Sequence, residues 1–276
     1  MITERNNSIM YIDFHVHAFA DKIAQRAMDA LMENSSSFDL HPTTDGTIGK
    51  LKEVLVSRNI SKAVLLPIAT KPSQQTTINN WAASVKDDFF CPFGTVHPLA
   101  EDWSQELERI KELGLYGIKF HPDYQNFFID DDMMMPIYQK CSDLELPVLF
   151  HAGLDPLSPE VIHCLPESAA KIADMFPDLT MILAHGGGLM KWDDVEKYLA
   201  GRPGKLYFDV SVIAEYISSE QLLRIIKKHG ADRILYGSDS PWSDPAAEIK
   251  MINDLALSEE EKEMIFCKNA EKLLNI

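Results

Sequence analysis

The sequence predicts an α/β protein of the (β/α)8 TIM-barrel type, with residues 1–276 forming a single domain. Eight short apolar runs, rich in β-branched and aromatic residues, alternate with amphipathic segments of helical spacing. Alternating strands and helices form parallel β-α-β units, and eight such units close into a barrel. An open doubly wound sheet is the alternative, but no G-x-G-x-x-G motif follows an early strand. The length of 276 residues also suits one barrel.

Each predicted strand is short and is bounded by Gly, Pro or polar turn residues. In chain order the strands are Tyr11–Val16, Lys62–Ile68, Phe90–Val96, Tyr116–Phe120, Pro147–Phe150, Thr180–Ala184, Leu206–Val210 and Ile234–Tyr236. The polar, turn-rich stretch Asn34–Gly49 lengthens the first connection, and such a loop often covers an active site.

The intervening helices carry apolar faces and stop signals. Trp103, Leu107, Ile110 and Leu113 recur at helical spacing, and Gly114 follows as a C-terminal cap. A second apolar face at residues 222–226 runs into Lys-Lys-His-Gly, in which cations precede a terminal glycine. The segment Ser258–Leu274 is typical of a closing helix.

The composition excludes several classes of protein. A formal net charge of −16 argues against nucleic acid or an anionic membrane as the main partner. The four cysteines are scattered without a C-x-x-C pair, which suits a reducing compartment and excludes a thiolate zinc module. Met1–Met10 has no apolar signal region, and no apolar run approaches the roughly 18 residues of a membrane span. We therefore expect a soluble cytoplasmic protein, whose substrate the net charge does not identify.

Histidines and aspartates stand where the predicted strands end. Six of the nine histidines share this placement, and acidic residues follow on the last two strands; the set is His15, His17, His97, His121, His151, His185, Asp209 and Asp239. In a barrel these strand ends converge on one face, where active sites of the fold lie. The pattern predicts a polar site at the barrel mouth.

Most single histidines have an ordinary structural explanation. His41, His163 and His229 fall in a loop, a helix and a helix end, and His97-Pro98 is consistent with a simple turn. His15 and His17 differ because residues two apart in a strand, like Asp13 before them, face the same way. Two imidazoles on one face can reach one metal ion together.

Four motifs together resemble the amidohydrolase superfamily. They are Asp-x-His-x-His at residues 13–17, Phe-His-Ala-Gly at 150–153, Ala-His-Gly-Gly at 184–187 and Tyr-Gly-Ser-Asp-Ser-Pro-Trp at 236–242. Their spelling is similar to the amidohydrolase 2 branch, which contains aminocarboxymuconate-semialdehyde decarboxylase, γ-resorcylate decarboxylase and lactone hydrolases. The resemblance runs from about residue 11 to residue 242.

The resemblance implies one divalent metal ion, usually zinc with manganese as an alternative, held by His15, His17, His151 and Asp239. It makes His185 the acid/base or electrophile beside the metal-bound water or substrate, with Asp239 also a catalytic residue. Imidazole nitrogens and a carboxylate suit zinc or manganese better than calcium.

Lys119 leaves the number of metal ions open. Binuclear members of the superfamily carry a carboxylated lysine on the fourth strand, where Lys119 falls. Lys119 and His121 also share a face, so both can instead hold a carboxylate of the substrate. We favour one metal, with Lys119 and His121 binding the substrate.

Two reactions use the same ligands. We expect a hydrolase that opens a small lactone, amide or ester, carrying a carboxylate, with metal-bound water. The alternative is a metal-dependent, non-oxidative decarboxylase of an aromatic or muconate-type acid. A non-catalytic ligand-binding barrel is disfavoured because the ligand set is complete. The resemblance also allows a homodimer, for which the sequence itself shows no interface.

Overall fold

The computed structural model describes residues 10–35 and 41–276, and it contains seven parallel strands. They are β1 (Tyr11–Val16), β2 (Ile60–Leu65), β3 (Ile118–Phe120), β4 (Val148–Phe150), β5 (Met181–Leu183), β6 (Leu206–Asp209) and β7 (Ile234–Leu235). β1 pairs with β2, and β3 to β7 pair in sequence order. Every predicted strand except the third therefore lies at or near its expected position.

The third predicted strand, Phe90–Val96, is wrong as a regular strand. It makes only isolated parallel bridges, from Phe90 to Ala63 of β2 and from Gly94 to Ile118 of β3. The sequence explains the interruption, because Pro92 has no N–H to donate to a ladder. The segment nevertheless fills the gap between the two sheets.

The eighth predicted strand closes the ring by hydrogen-bonding to β1. The Phe14 amide donates to the Tyr236 carbonyl at 2.8 Å, and the Asp239 amide donates to the His15 carbonyl at 2.7 Å. The His17 amide donates to the Ser240 carbonyl at 2.7 Å. The strands thus pair in parallel and in the predicted order, and these bonds join the last strand to the first. The (β/α)8 barrel is confirmed.

Helices surround the strands on the outside. They are α1 (Asp21–Asn34), α2 (Ile48–Ser57), α3 (Gln75–Val85), α4 (Trp103–Glu112), α5 (Pro122–Gln125), α6 (Met135–Asp143), α7 (Pro166–Met175), α8 (Trp192–Tyr198), α9 (Ser219–His229), α10 (Pro245–Asp254), α11 (Glu259–Glu263) and α12 (Asn269–Leu274). A π-helical turn, Met264–Lys268, joins the last two, so the predicted closing helix is present with one widened turn. Gly114 and Gly230 follow α4 and α9 with φ of 67° and 103°, as their cap positions predict.

The core has two layers, as a barrel requires. Alternate strand residues such as Ile12, Val64, Leu149 and Ile182 pack together inside the barrel. A larger layer, which includes Phe208, packs the strands against the helices. All four cysteines are buried and free.

The predicted covering loop lies against the closing strand. Residues 36–40 of Asn34–Gly49 lie outside the described residues, as does nearly all of Met1–Met10. Within the described part, the Thr43 amide donates to the Pro241 carbonyl at 2.8 Å, and the Phe19 amide donates to the Gly46 carbonyl at 2.8 Å. No helix among the described residues is long and apolar enough to cross a membrane.

Candidate metal centre

His15, His17 and Asp239 meet at the carboxyl ends of β1 and the closing strand, and we call them the first cluster. The Nε2 atoms of His15 and His17 are 3.1 Å apart. Asp239 Oδ1 lies 3.1 Å from His17 Nε2 and 3.4 Å from His15 Nε2. His15 is buried and His17 is half-buried, so the three ligand atoms converge at the inner end of the barrel mouth.

The other ring nitrogen of each histidine fixes its tautomer. His15 Nδ1 lies 2.9 Å from Asp209 Oδ2, and His17 Nδ1 lies 2.8 Å from the Leu66 carbonyl oxygen. A carboxylate and a carbonyl oxygen accept hydrogen bonds, so each Nδ1 carries the proton and each Nε2 keeps a lone pair. Three electron-pair donors of the first cluster therefore point at one another.

Asp209 and Ser211 connect the first cluster to His185. The Asp209 Oδ1 atom accepts from the Ser211 hydroxyl at 2.6 Å and from the His185 amide at 3.1 Å. His185 Nδ1 donates to the Ser211 carbonyl at 3.0 Å, which leaves the lone pair on Nε2. His15, His185 and Asp239 together form a group whose ligand atoms lie within 4.8 Å of one another.

Left-handed backbone aims two of these side chains. His185 and Asp239 have φ of 60° and 64°, a region that residues other than glycine seldom adopt. Such conformations cluster at functional sites, where the surrounding structure holds them. The Trp192 indole N–H donates to the His185 carbonyl at 3.0 Å and so helps to hold the backbone conformation of His185.

Lys119 is the buried cation of the site. Its Nζ lies 3.3 Å from His15 Nε2, the atom that carries a lone pair. Burial lowers the pKa of Lys119 to about 8, although Asp239 and Asp209 oppose that shift, so the amine is mainly protonated near neutral pH. Burial, together with Lys119, lowers the pKa of His15 to about 4. Burial would raise the pKa of Asp239, but His15 and His17 hold it below its usual range.

A second cluster lies beside the first, at the ends of β3 and β4, and consists of His121, His151 and Asp155. Asp155 Oδ2 lies 3.5 Å from His121 Nε2 and 3.7 Å from His151 Nε2. The two imidazoles stack in parallel, with ring centroids 4.3 Å apart and planes 8° apart. Burial lowers the pKa of both histidines well below the usual value, so both are neutral.

The second cluster has its own supporting residues. Asp123 Oδ2 lies 3.8 Å from His121 Nδ1, and its Oδ1 accepts from His163 Nδ1 at 2.8 Å and from the Ser158 hydroxyl. Tyr124 stacks on the outer face of His121, with centroids 3.6 Å apart. His121 Nδ1, Asp123 Oδ2 and His151 Nε2 are buried and have no hydrogen-bond partner.

The structure divides the ligands that the resemblance implied. It brings His15, His17 and Asp239 together, whereas His151 lies behind His185, with its Nδ1 3.0 Å from His185 Nε2. Since His185 Nε2 keeps its lone pair, His151 Nδ1 is the donor of that bond. Lys119 adjoins the first cluster and His121 belongs to the second.

Other residues have structural roles. Asp13 accepts from the Ser238 amide and hydroxyl at 2.9 and 2.6 Å, so it joins β1 to the closing strand and is not a ligand. Its expected alignment with His15 and His17 fails because the β1–β2 register shifts between Asp13 and Val16. His229 bonds the Leu206 carbonyl at 3.0 Å, in agreement with its structural interpretation.

Sequence reasoning missed Asp155 and Asp123. Both follow histidines that were singled out, Asp155 four residues after His151 and Asp123 two residues after His121. A carboxylate just past a strand-end histidine is the available signal, although many acidic loop residues share it.

The first cluster fits a divalent ion. A zinc ion about 2.1 Å from each ligand of a tetrahedron keeps the ligand atoms about 3.4 Å apart. The 3.1–3.4 Å separations within the cluster match that spacing. Asp209 behind His15 is the kind of outer carboxylate that orients metal-binding histidines.

The chain is similar in sequence to a known decarboxylase over part of its length. It is 27% identical over 210 residues to 2-amino-3-carboxymuconate-6-semialdehyde decarboxylase of Dictyostelium discoideum, an alignment that covers 62% of this chain and 57% of that protein. The chain thus spans less than two thirds of this relative.

Solved structures share the fold. An uncharacterized TIM-barrel protein from Bordetella bronchiseptica superposes with a TM-score of 0.75 at 19% identity, covering 96% of this chain and 98% of that one. The 5-carboxyvanillate decarboxylase of Novosphingobium aromaticivorans, complexed with manganese and 4-hydroxy-3-methoxy-5-nitrobenzoic acid, gives 0.71 at 17% identity and covers 98% and 97% of the two chains. The amidohydrolase family model matches residues 12–276. The chain therefore belongs to the amidohydrolase family.

Proposed function

We propose that this protein is a metal-dependent, non-oxidative decarboxylase of a small aromatic or conjugated carboxylic acid. This is the alternative that the sequence left open, and the identity of the Dictyostelium relative supports it over hydrolysis. The observation that carries the proposal is Lys119, a fully buried ammonium 3.3 Å from a ligand nitrogen of the first cluster. A cation at that place recognises a carboxylate beside the metal.

His15, His17 and Asp239 would hold the ion. His151 is the predicted fourth ligand, and its use there requires the His151–His185 hydrogen bond to open. The bound ion would supply an electrophile that orients the substrate carboxylate or a neighbouring oxygen and stabilises negative charge. Manganese in the 5-carboxyvanillate decarboxylase makes manganese and zinc the two ions to test.

Lys119 would be available to the substrate in the metal-loaded protein. His15 Nε2 has one lone pair, which the Lys119 ammonium contacts at 3.3 Å in this structure. If His15 used that lone pair to hold an ion, Lys119 would need another acceptor, and a substrate carboxylate is a suitable one. Lys119 would therefore bind the substrate, with His121 as a further contact.

The reaction needs one bond broken and one proton delivered. The bond from the substrate carbon to its carboxylate breaks, CO2 leaves, and the carbon keeps the electron pair and takes up a proton. We assign the delivery of that proton to His185, which is buried near Asp239, and its Nε2 would first have to take up a proton because that atom carries a lone pair here. The site is nearly closed to water, since His15, Lys119 and His185 are each at most 2% exposed. Exclusion of water favours loss of CO2, because the charge localised on the carboxylate becomes delocalised over the conjugated carbon skeleton.

A product assay tests the proposal. Protein loaded with Zn2+ or Mn2+ is incubated with hydroxybenzoates, 2-amino-3-carboxymuconate semialdehyde and a matched panel of lactones, while CO2 and acid release are followed separately. We expect CO2 from at least one conjugated acid and none from Lys119→Met. Acid release from a lactone without CO2 from any acid would instead establish the hydrolase.

A further inference from the structure

We propose that Tyr124 binds the substrate through its hydroxyl group, which donates a hydrogen bond to a second oxygen of the acid whose carboxylate Lys119 holds. The substrate class that this pair of donors selects is a hydroxyl-substituted aromatic acid. The role of Tyr124 rests on the proposed function, because a small acid must first bind beside the first cluster. It adds a residue that discriminates among such acids.

The fold holds Tyr124 in a fixed position just after β3. Its ring stacks on His121, with centroids 3.6 Å apart and planes 10° apart. The next residue, Gln125, is buried, and its side chain accepts from the His121 amide at 3.0 Å. The same side chain donates to the carbonyls of Ala69 and Val96 at 3.0 and 2.9 Å. The ring of Tyr124 is therefore oriented by the protein itself, as a preorganised binding residue requires.

The Tyr124 hydroxyl is available to a ligand. Tyr124 is half-buried, and within residues 10–35 and 41–276 its hydroxyl forms no hydrogen bond. By contrast, Tyr138 and Tyr236 in the core each donate to a carbonyl oxygen, at 2.9 and 3.1 Å. A tyrosine hydroxyl in a largely enclosed place usually has a partner. The hydroxyl of Tyr124 can take that partner from a bound molecule.

The Tyr124 hydroxyl and the Lys119 ammonium lie near the same two carboxylates. Burial raises the pKa of Tyr124 well above its usual value, and the charges of Asp155 and Asp239 raise it further. Burial lowers the pKa of Lys119 to about 8, and the charges of Asp239 and Asp155 are among those that oppose this shift. Both donors therefore belong to one part of the barrel mouth. The phenol keeps its proton near neutral pH and so acts as a donor.

Two fixed donors favour a rigid ligand with two acceptors. Lys119 lies on β3 and Tyr124 on α5, and that helical turn begins two residues after the strand ends. The distance between the two donors is thus set by the fold. An aromatic ring likewise keeps its carboxylate and its hydroxyl at a set distance, so little conformational freedom is lost on binding. A flexible acid would lose more.

Ligand affinity tests this role without requiring turnover. Zinc-loaded protein is titrated by calorimetry with benzoate and with its three monohydroxy derivatives, and kcat/KM replaces the affinity for any ligand that loses CO2. We expect one hydroxybenzoate to bind more tightly than benzoate. Tyr124→Phe should weaken that ligand about 10-fold and change benzoate less than about 2-fold, because it removes one hydrogen bond and keeps the ring. Tyr11→Phe, at the start of β1 and away from the mouth, is the matched control and should change neither.

Three results would overturn the role of Tyr124 and leave the decarboxylase proposal intact. They are no preference for any hydroxybenzoate, a preference that Tyr124→Phe keeps, and an equal loss for both ligands in Tyr124→Phe. A preference that disappears in Tyr124→Phe, without CO2 from any acid, overturns only the decarboxylase.

A crystal structure of the tightest complex checks the contact itself. The ligand hydroxyl oxygen should lie about 2.7 Å from the Tyr124 hydroxyl oxygen, with the ligand carboxylate at Lys119. A ligand hydroxyl that contacts neither Tyr124 nor a group bonded to it overturns the assignment.

Discussion

The two clusters at the barrel mouth differ in how completely the protein satisfies their atoms. In the first, each imidazole has an acceptor at 2.8–2.9 Å behind it, and Lys119 faces His15 Nε2. In the second, His121 Nδ1 and His151 Nε2 are buried without partners. The first cluster is thus held in place by the fold, whereas the second contains two ring nitrogens without a hydrogen-bond partner.

The difference follows from how the barrel assembles each cluster. The first joins opposite ends of the sequence, since His15 bonds Asp209 across 194 residues, and barrel closure locks it. The second draws on neighbouring strands, β3 and β4, and on the loops that follow them. Loops adapt to a ligand more readily than closed strands do. We expect chemistry to depend more strongly on the first cluster.

The carboxylates of the two clusters provide the sharpest test of that contrast. Asp239→Asn removes the anionic ligand of the first cluster, and we expect kcat/KM to fall at least about 10³-fold, because the metal contributes several kcal/mol to the transition state. Asp155→Asn should cost clearly less, since the ion of the first cluster stays bound. Parallel kinetics and zinc analysis measure both. Equal losses in the two variants would show that the clusters are not functionally distinct.

The variant His185→Ala should distinguish metal binding from turnover. We expect His185→Ala to keep metal in the first cluster, through His15, His17 and Asp239, and to lose about 10²–10⁴-fold in kcat, the range for removal of an acid/base group. Metal content and single-turnover CO2 release are the measurements. His229→Ala removes a buried imidazole far from the mouth and controls for packing defects. A normal rate in His185→Ala would refute the assigned role.

The carboxylate behind His15 should act on metal affinity. Asp209→Asn keeps the shape of the side chain but weakens its hold on His15, so we expect about 10–100-fold weaker binding of an ion at the first cluster. Asp123→Asn, behind His121 in the second cluster, should change that affinity clearly less. Competition with a chromophoric chelator measures the affinity in both variants. Equal losses in the two variants would contradict the separation of the clusters.

Much of the fold follows from the sequence because strand ends and helix caps are local signals. Strand periodicity, Gly114 and Gly230 correctly predict their elements. The wrong prediction of a regular strand at Phe90–Val96 also has a local cause. The apolar run resembles a strand, but Pro92 lacks the N–H that a continuous series of strand hydrogen bonds requires.

The candidate site is less predictable because its distances depend on closure. The His15–His17 pair can be read from a single strand, and the structure places Asp239 beside it. The position of His151 behind His185 is set by a hydrogen bond between two strands, and no spacing encodes it. Asp155 and Asp123 likewise matter only through the ring nitrogens they face.

The smallest effect that we predict concerns a buried carboxyl group outside both clusters. It should change the pH dependence of the free energy of unfolding and leave the reaction unchanged. Glu248, on α10, is 1% exposed, and burial raises its pKa from 4.5 to about 9. The folded protein therefore holds a proton that the unfolded chain releases above pH 4.5, so this group's contribution declines from there to about pH 9. The slope approaches about 1.4 kcal/mol per pH unit.

Glu248→Gln should remove that slope, so its free energy of unfolding should change less between pH 6 and pH 8.5 than that of the unaltered chain. Urea unfolding at several pH values measures the effect, and Glu260→Gln, on the exposed surface of α11, is the control. Because Glu248 touches neither cluster, CO2 release should keep its pH profile in this variant. A changed profile would mean that the pH dependence of the reaction reflects the stability of the barrel rather than groups at its mouth.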